Sequence, residues 1–324
     1  MINGNSLVVQ FGKEATYGTI SSPERQIKVA SEGFKATYNR KDEGLLTGSK
    51  TSSGRKEIMS LKTEGSISTL ARPDDVGLFL LAGLGVEGKV ETVGTAGFKH
   101  TFTAIGNAET DKLPSLTAFL DRKVDVFSYN GLKVDSLSFS ASPEDYLKLD
   151  LSFVGRDEGY GATLNTTLTP SPLKAFKFRH GKVKIGSKVI ADITSIKFDY
   201  QNQLDSSTQT TGTGLHFLEP QVGGRTIKTD VEMLYTSDSE QLRKDYYAKD
   251  ADVALELTFT SDETVEKGVP YSLKITIPCN QCSDSTANFG SAETIKQNMS
   301  FEALENGVDE LITVELTNGY SKKY

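Results

Sequence analysis

Strict alternation of apolar and polar side chains is the feature that most limits what this chain can fold into. Leu147-Lys148-Leu149-Asp150-Leu151-Ser152-Phe153 alternates without a break, and so does Tyr271-Ser272-Leu273-Lys274-Ile275-Thr276-Ile277. Val253-Ala254-Leu255-Glu256-Leu257-Thr258-Phe259 and Ile312-Thr313-Val314-Glu315-Leu316 follow the same pattern. Successive side chains of a strand point to opposite faces, so each stretch has one apolar and one wet face, the signature of antiparallel sheets. Val183-Lys184-Ile185-Gly186-Ser187-Lys188-Val189-Ile190 predicts a hairpin turning at Gly186-Ser187. Helical signals are few. Pro73-Asp74-Asp75 ahead of Val76, Phe79, Leu80 and Leu84 predicts one helix over 73–84, stopped by Gly83 and Gly85. Ser237-Asp238-Ser239-Glu240 reads as a capping box opening a second, over 237–247.

The order of elements in the first half recurs in the second. A strand at 65–70 leads into the first helix, and one at 230–234 into the second. Thr101-Phe102-Thr103 matches Thr258-Phe259-Thr260, Ser115-Leu116 matches Ser272-Leu273, and Leu137-Ser138-Phe139 matches Met299-Ser300-Phe301. Leu149, Leu151 and Phe153 match Ile312, Val314 and Leu316, all at an offset of about 160 positions. The expected fold is therefore mainly β: two tandem similar β-sandwich or partial-barrel domains, each with one short α-helix. The expected division is a first domain over 1–158, a connector rich in Gly and Pro over 159–172, and a second domain over 173–324. The length of 324 residues suffices for two cores.

Each half also holds one long polar loop. Residues 39–55 carry Leu45 and Leu46, and residues 202–225 carry Leu215, Phe217 and Leu218. Apolar residues in the middle of a polar loop mark either a contact with a neighbouring subunit or ring, or a fold-back onto the parent domain. The alternating strand with Leu147, Leu149, Leu151 and Phe153 is the candidate assembly strand, expected to pair with a neighbour or to line a closed barrel.

Charge and chemistry exclude more than they suggest. The net charge of −7 disfavours tight binding to a phosphate backbone, which needs a basic surface. The longest apolar and Gly run, 76–86, falls well short of the ~18 residues that span a bilayer, and no secretory signal is expected at the start. Only His100, His180 and His216 could serve a nucleophilic triad, and each reads as structural or solvated. Cys279-Asn280-Gln281-Cys282 has CxxC spacing without a second pair for zinc, and it follows a strand rather than opening a helix. Residues 181–188 approach a phosphate-binding loop, with the final residues inverted and no helix to follow. No catalytic residue, metal site or cofactor is expected, and the chain reads as a non-enzyme.

Several phrases, in order, resemble the phage tail tube (major tail protein) family in its duplicated form. They are Phe11-Gly12-Lys13-Glu14-Ala15-Thr16-Tyr17-Gly18, then Arg72-Pro73-Asp74-Asp75-Val76-Gly77-Leu78-Phe79-Leu80-Leu81-Ala82-Gly83-Leu84-Gly85. His100-Thr101-Phe102-Thr103 and Leu113-Pro114-Ser115-Leu116-Thr117 follow, then Ile196-Lys197-Phe198-Asp199-Tyr200-Gln201-Asn202 and Val314-Glu315-Leu316-Thr317-Asn318-Gly319. The resemblance implies a virion structural subunit, made in the host bacterial cytoplasm and located in the tail. Its rings stack into a hollow tube that conducts DNA during ejection without binding it specifically. Implied partners are further copies of itself, tape measure proteins, and tail terminator or tip proteins, with no membrane. Two tube-fold domains per chain imply trimeric, pseudo-hexameric rings. The alternative reading is a virion or cell-surface β-sandwich binding module, against which the absence of Trp weighs, since sugar-binding faces use aromatic platforms.

Overall fold

The computed structural model describes residues 6–45, 48, 50, 54–108, 110–287, 289 and 294–324. The first half contributes β1 (Val8–Lys13), β2 (Arg25–Ile27), β3 (Val29–Glu32), β4 (Lys35–Lys41), β5 (Glu57–Leu70), α1 (Val76–Leu84), β6 (Gly85–Glu87), β7 (Glu91–Val93), β8 (Gly97–Ala104), β9 (Leu116–Asp121), β10 (Val126–Ala141), β11 (Lys148–Gly155) and β12 (Asp157–Gly159). The second contributes β13 (Gly181–Ile185), β14 (Lys188–Ile190), β15 (Ile193–Gln201), β16 (Thr226–Leu234), α2 (Ser237–Leu242), β17 (Val253–Glu266), β18 (Val269–Ala287), β19 (Lys296–Ala303) and β20 (Thr313–Asn318). The protein is mainly β, with two short helices, and the pairings among these strands are antiparallel.

The pairing order of the first half is β2–β1–β9–β10–β11–β5, with β3 and β4 on the far side of β5. That of the second is β14–β13–β17–β18–β19–β16–β15. The two lists are the same walk. Strand pairing nevertheless assigns different counterparts from the sequence offset beyond the helices: β9 corresponds to β17 and β11 to β19, whereas the offset matches β8 with β17 and β11 with β20. Period-two alternation looks alike in every strand, so a sequence comparison can slip by a whole strand. The strands left over are β6–β8 in the first half and β20 in the second, and β20 pairs with β8, setting Val314 opposite Phe102.

Two junctions join the halves. The C-terminal part of β10 takes β11 on one side and β15 on the other, with Leu137 opposite Leu151 and Tyr200. At the second junction β20 lies between β18 and β8. Among the described strands the pairings never return to their starting point, so the sheet is open. The segment over 159–172 is hydrogen-bonded into the first half. The Asn165 N–H donates to Gln10 Oε1 at 2.9 Å, Gln10 Nε2 donates to Asn165 O at 2.9 Å, and Lys28 Nζ donates to Ser171 O at 2.8 Å.

Helix α1 is buried on every side, packing beneath β10 and β8. Gly85 ends it at φ 98°, a left-handed conformation that favours glycine, and its N–H reaches Leu81 O. Gly77 meets the Tyr324 ring, where an added Cβ would lie 2.1 Å from Cζ. The cap of α2 falls one residue earlier than expected. Thr236 Oγ1 accepts from the Ser239 N–H at 3.3 Å and Ser239 Oγ accepts from the Thr236 N–H at 2.9 Å. The reciprocity makes Thr236 the boundary, because its extended φ/ψ frees the hydroxyl to reach back over the first turn. The expected hairpin at Gly186-Ser187 forms, with Ile185 opposite Lys188.

Candidate assembly and conduit surfaces

Strands β5, β11, β10, β15, β16 and β19 lie side by side with their apolar residues on one face. Ile67, Leu151, Leu137, Tyr200, Val231 and Met299 are buried there. The alternation that buries them presents the other residues on a second face, whose composition is regular. Register sets Lys148, Ser140, Lys197, Asp230 and Ser300 in one row across the sheet. Ser68, Asp150, Ser138, Asp199, Lys228 and Glu302 form the next row. The middle strand β10 offers only the small hydroxyls of Ser136, Ser138 and Ser140 between the charged rows. Lys197 Nζ lies 2.6 Å from Asp199, Lys296 2.9 Å from Glu232, Lys148 2.7 Å from Asp145, Lys62 3.1 Å from Glu64, and Lys228 3.7 Å from Asp230. The hydrogen bond from Lys197 to Asp199 holds the lysine above its ordinary pKa. Glu232 is held below its own, first by the Thr194 hydroxyl and then by Lys296. These six strands carry no arginine.

Among the described residues several strands keep one edge unpaired, β2 and β14 at the ends of the two walks included. β4 pairs only with β5, and residues 284–287 of β18 pair only with β19. In the candidate assembly strand Leu147, Leu149, Leu151 and Phe153 are all buried, and β11 is paired on both sides within the chain by β5 and β10. The loop over 202–225 lies across the β10–β15 junction. Leu215 O accepts from the Leu61 N–H at 2.8 Å, Gln209 Nε2 donates to Met59 O at 3.2 Å, and Arg225 Nη1 donates to Ile105 O at 2.6 Å. Glu219 Oε1 lies 2.9 Å from Nζ of Lys133, a lysine only 1% exposed. Burial pulls the Lys133 ammonium below its ordinary pKa, while Lys112 and Lys133 hold Glu219 below its own against the opposing effect of its burial. Leu215 and Leu218 of the same loop remain exposed, Phe217 is half-buried, and Leu45 is 70% exposed. Leu46 lies outside the described residues.

The family model described as phage tail tube protein matches residues 4–303. The chain belongs to the phage tail tube protein family. No curated protein matches it significantly. Membership gives it a structural role in the tail tube of a bacteriophage virion.

In this tail tube protein the opening phrase 11–18 has a physical purpose that sequence reading missed. Glu14, buried, accepts hydrogen bonds from the Gly18 N–H at 2.8 Å, Ser115 Oγ at 2.7 Å, Thr117 Oγ1 at 2.8 Å and the Gly131 N–H at 2.8 Å. One carboxylate thus ties the end of β1 to β9 and to the bend in β10. Nothing in the sequence around Glu14, which directly follows β1, marks it as buried. Beyond it, His100 is fully buried, with Nδ1 2.7 Å from Glu87 Oε1 and Nε2 2.8 Å from Tyr320 O. Both thiols are free and buried, and burial pushes Cys282 up to about 11, far from a reactive thiolate. Among the described residues no group of three or more His, Cys, Asp or Glu side chains could hold a metal ion.

Proposed function

We propose that this chain is a ring-forming subunit of the tail tube, that three copies close a ring, and that rings stack around a lumen through which DNA passes. The carrying observation is the junction between β10 and β15. The counterpart of β10 is β18 and the counterpart of β15 is the β3–β4 segment, and both keep an unpaired edge among the described residues. A chain with the same junction inside it and at both of its ends can extend head to tail until the rotation closes. Two tube-fold units per chain, one on each side of the connector, then give six units from three chains.

The internal junction also supplies the register. Leu137 faces Tyr200 within the chain. Transferred through Ser285 opposite Met299 and Ala36 opposite Thr63, the junction between chains sets Ser285 opposite Ala36. The faces agree: Ser285 is buried and Ala36 half-buried, while Asp284, Thr286, Lys35 and Thr37 are exposed and continue the polar face. That face, curved into a ring, becomes the lumen wall. The exposed Leu45, Leu215 and Leu218 lie on the loops that would meet a neighbouring ring or subunit, and tape measure, terminator and tip proteins would complete the tail.

The test is a double variant, Ala36→Cys with Ser285→Cys, oxidised after assembly and run on a non-reducing gel. The expected ladder stops at three chains. A ladder that continues to six, or no cross-link in tubes seen by microscopy, overturns the ring of three in this register.

A further inference from the structure

The polar face carries lysines, and a lysine facing a DNA duplex ordinarily binds phosphate by releasing counterions. A conduit with that property would hold the molecule it must pass. Each lysine on β5, β11, β15, β16 and β19 instead has a carboxylate at 2.6 to 3.7 Å, supplied by the same strand, a neighbouring strand or the turn beside it. On β15 and β16 the acid stands two residues along the same strand, on the same face: Lys197 with Asp199 and Lys228 with Asp230. On β19 it comes from across the ladder, Lys296 with Glu232. The acids are themselves anchored. Asp230 Oδ1 accepts from Ser300 Oγ at 2.5 Å, and Glu232 Oε2 accepts from Thr194 Oγ1 at 2.6 Å. Resting on the reading of this face as the lumen wall, we propose that Asp199, Asp230 and Glu232 are masking residues that hold Lys197, Lys228 and Lys296 away from the phosphates of passing double-stranded DNA.

The masks explain why the face holds lysines at all. Paired charges keep it hydrated and free of apolar patches. The serines of β10 between them present no charge. A wall of bare acids would repel DNA and also its neighbours in the ring, whereas a wall of paired charges is nearly neutral at close range and grips neither sign. Removing the acids while leaving the lysines is therefore a gain-of-binding change, and that gain is what the experiment reads.

The unassembled chain exposes this face, so the measurement uses it directly with a fluorescent 20-base-pair duplex. The triple variant Asp199→Asn, Asp230→Asn, Glu232→Gln is expected to capture the duplex, with binding about 40-fold weaker at 200 mM than at 50 mM salt. That is the dependence of about three phosphate contacts. The original chain is expected to show no such binding. A matched control, Asp238→Asn, Asp245→Asn, Asp262→Asn, makes the same change in net charge at acids paired with Lys188, Lys249 and Arg179 away from this face. Capture by the control as strong as by the first variant would overturn the proposal, because net charge alone would then suffice. Failure of a folded triple variant to capture DNA would overturn it too. Should the triple variant not fold, Asp199→Asn alone carries the test, with weaker capture expected, falling only about 3-fold from 50 to 200 mM salt as for one phosphate contact, and its absence counting against the masks. Adding Lys197→Gln, Lys228→Gln and Lys296→Gln to the triple should abolish capture. These outcomes are separate from the number of chains per ring, which the cysteine ladder reads.

Discussion

Residue by residue, two buried acids have opposite consequences. Glu14 accepts four hydrogen bonds and belongs to the fold as an acceptor. Glu14→Gln keeps the shape but supplies a single acceptor oxygen and adds two donors where donors already converge. We expect a loss of about 3 kcal/mol, read as a lower urea midpoint at unchanged slope. Asp75 is the reverse case. Burial pushes its carboxyl from the ordinary 3.8 up to about 6, with Arg72 opposing, and its Oδ2 has no hydrogen-bond partner. A raised carboxylate pKa means the folded chain binds a proton more tightly than the unfolded one. This group therefore lowers stability as pH rises from about 4 to about 6, and the penalty stays constant above. Asp75→Asn should remove that component and raise stability at pH 7 by up to about 3 kcal/mol. The difference between the two urea-unfolding profiles from pH 4 to 8 is the readout, since other carboxylates, held low by their partners, slope the opposite way.

At the scale of elements, the strap over 202–225 and strand β11 are the informative cases. The strap's Glu219 is the carboxylate partner of Lys133, which lies within the first half. Glu219→Gln leaves that ammonium with the Pro220 carbonyl at 3.0 Å and no counter-charge, and should cost about 3 kcal/mol in thermal or urea unfolding. Strand β11 is central in its sheet, and Leu151 is 3% exposed. Leu151→Asp sets an unpaired charge between Ile67 and Leu137, so the variant should lose several kcal/mol and fail to give a folded chain by far-ultraviolet circular dichroism. A folded Leu151→Asp chain would show that this face of β11 is not sealed.

For the whole molecule, the junctions matter more than the halves. β10–β15 and β20–β8 run the sheet through both halves, and the connector is hydrogen-bonded along its length. The family match ends at residue 303, before β20, so the strand that makes the second junction lies beyond the matched segment. One cooperative unfolding transition is expected, with near- and far-ultraviolet circular dichroism coincident. Two separated transitions would show that the halves melt alone. Truncation after residue 303 should leave the β8 and β18 edges bare, lower the midpoint and promote aggregation.

The sequence by itself determined which residues lie on which face, because alternation of period two leaves a strand no other way to bury Leu149, Leu151 and Phe153. It also determined the two helices, whose caps and breakers are local, and the absence of a recognisable catalytic motif. It did not determine which strand neighbours which. Hydrogen bonds between strands are made by backbone common to every residue, so β11 with both edges paired and β4 with one edge free read alike. Only the tertiary structure decided that the strand neighbours after α1 differ from those the sequence offset matches and that β20 joins β8. The same holds for the ion pairs of the polar face. Lys197-Phe198-Asp199 can be read from spacing, since residues two apart share a face. Lys296 beside Glu232 needed the register of β16 on β19, and that register is set by packing over the whole sheet.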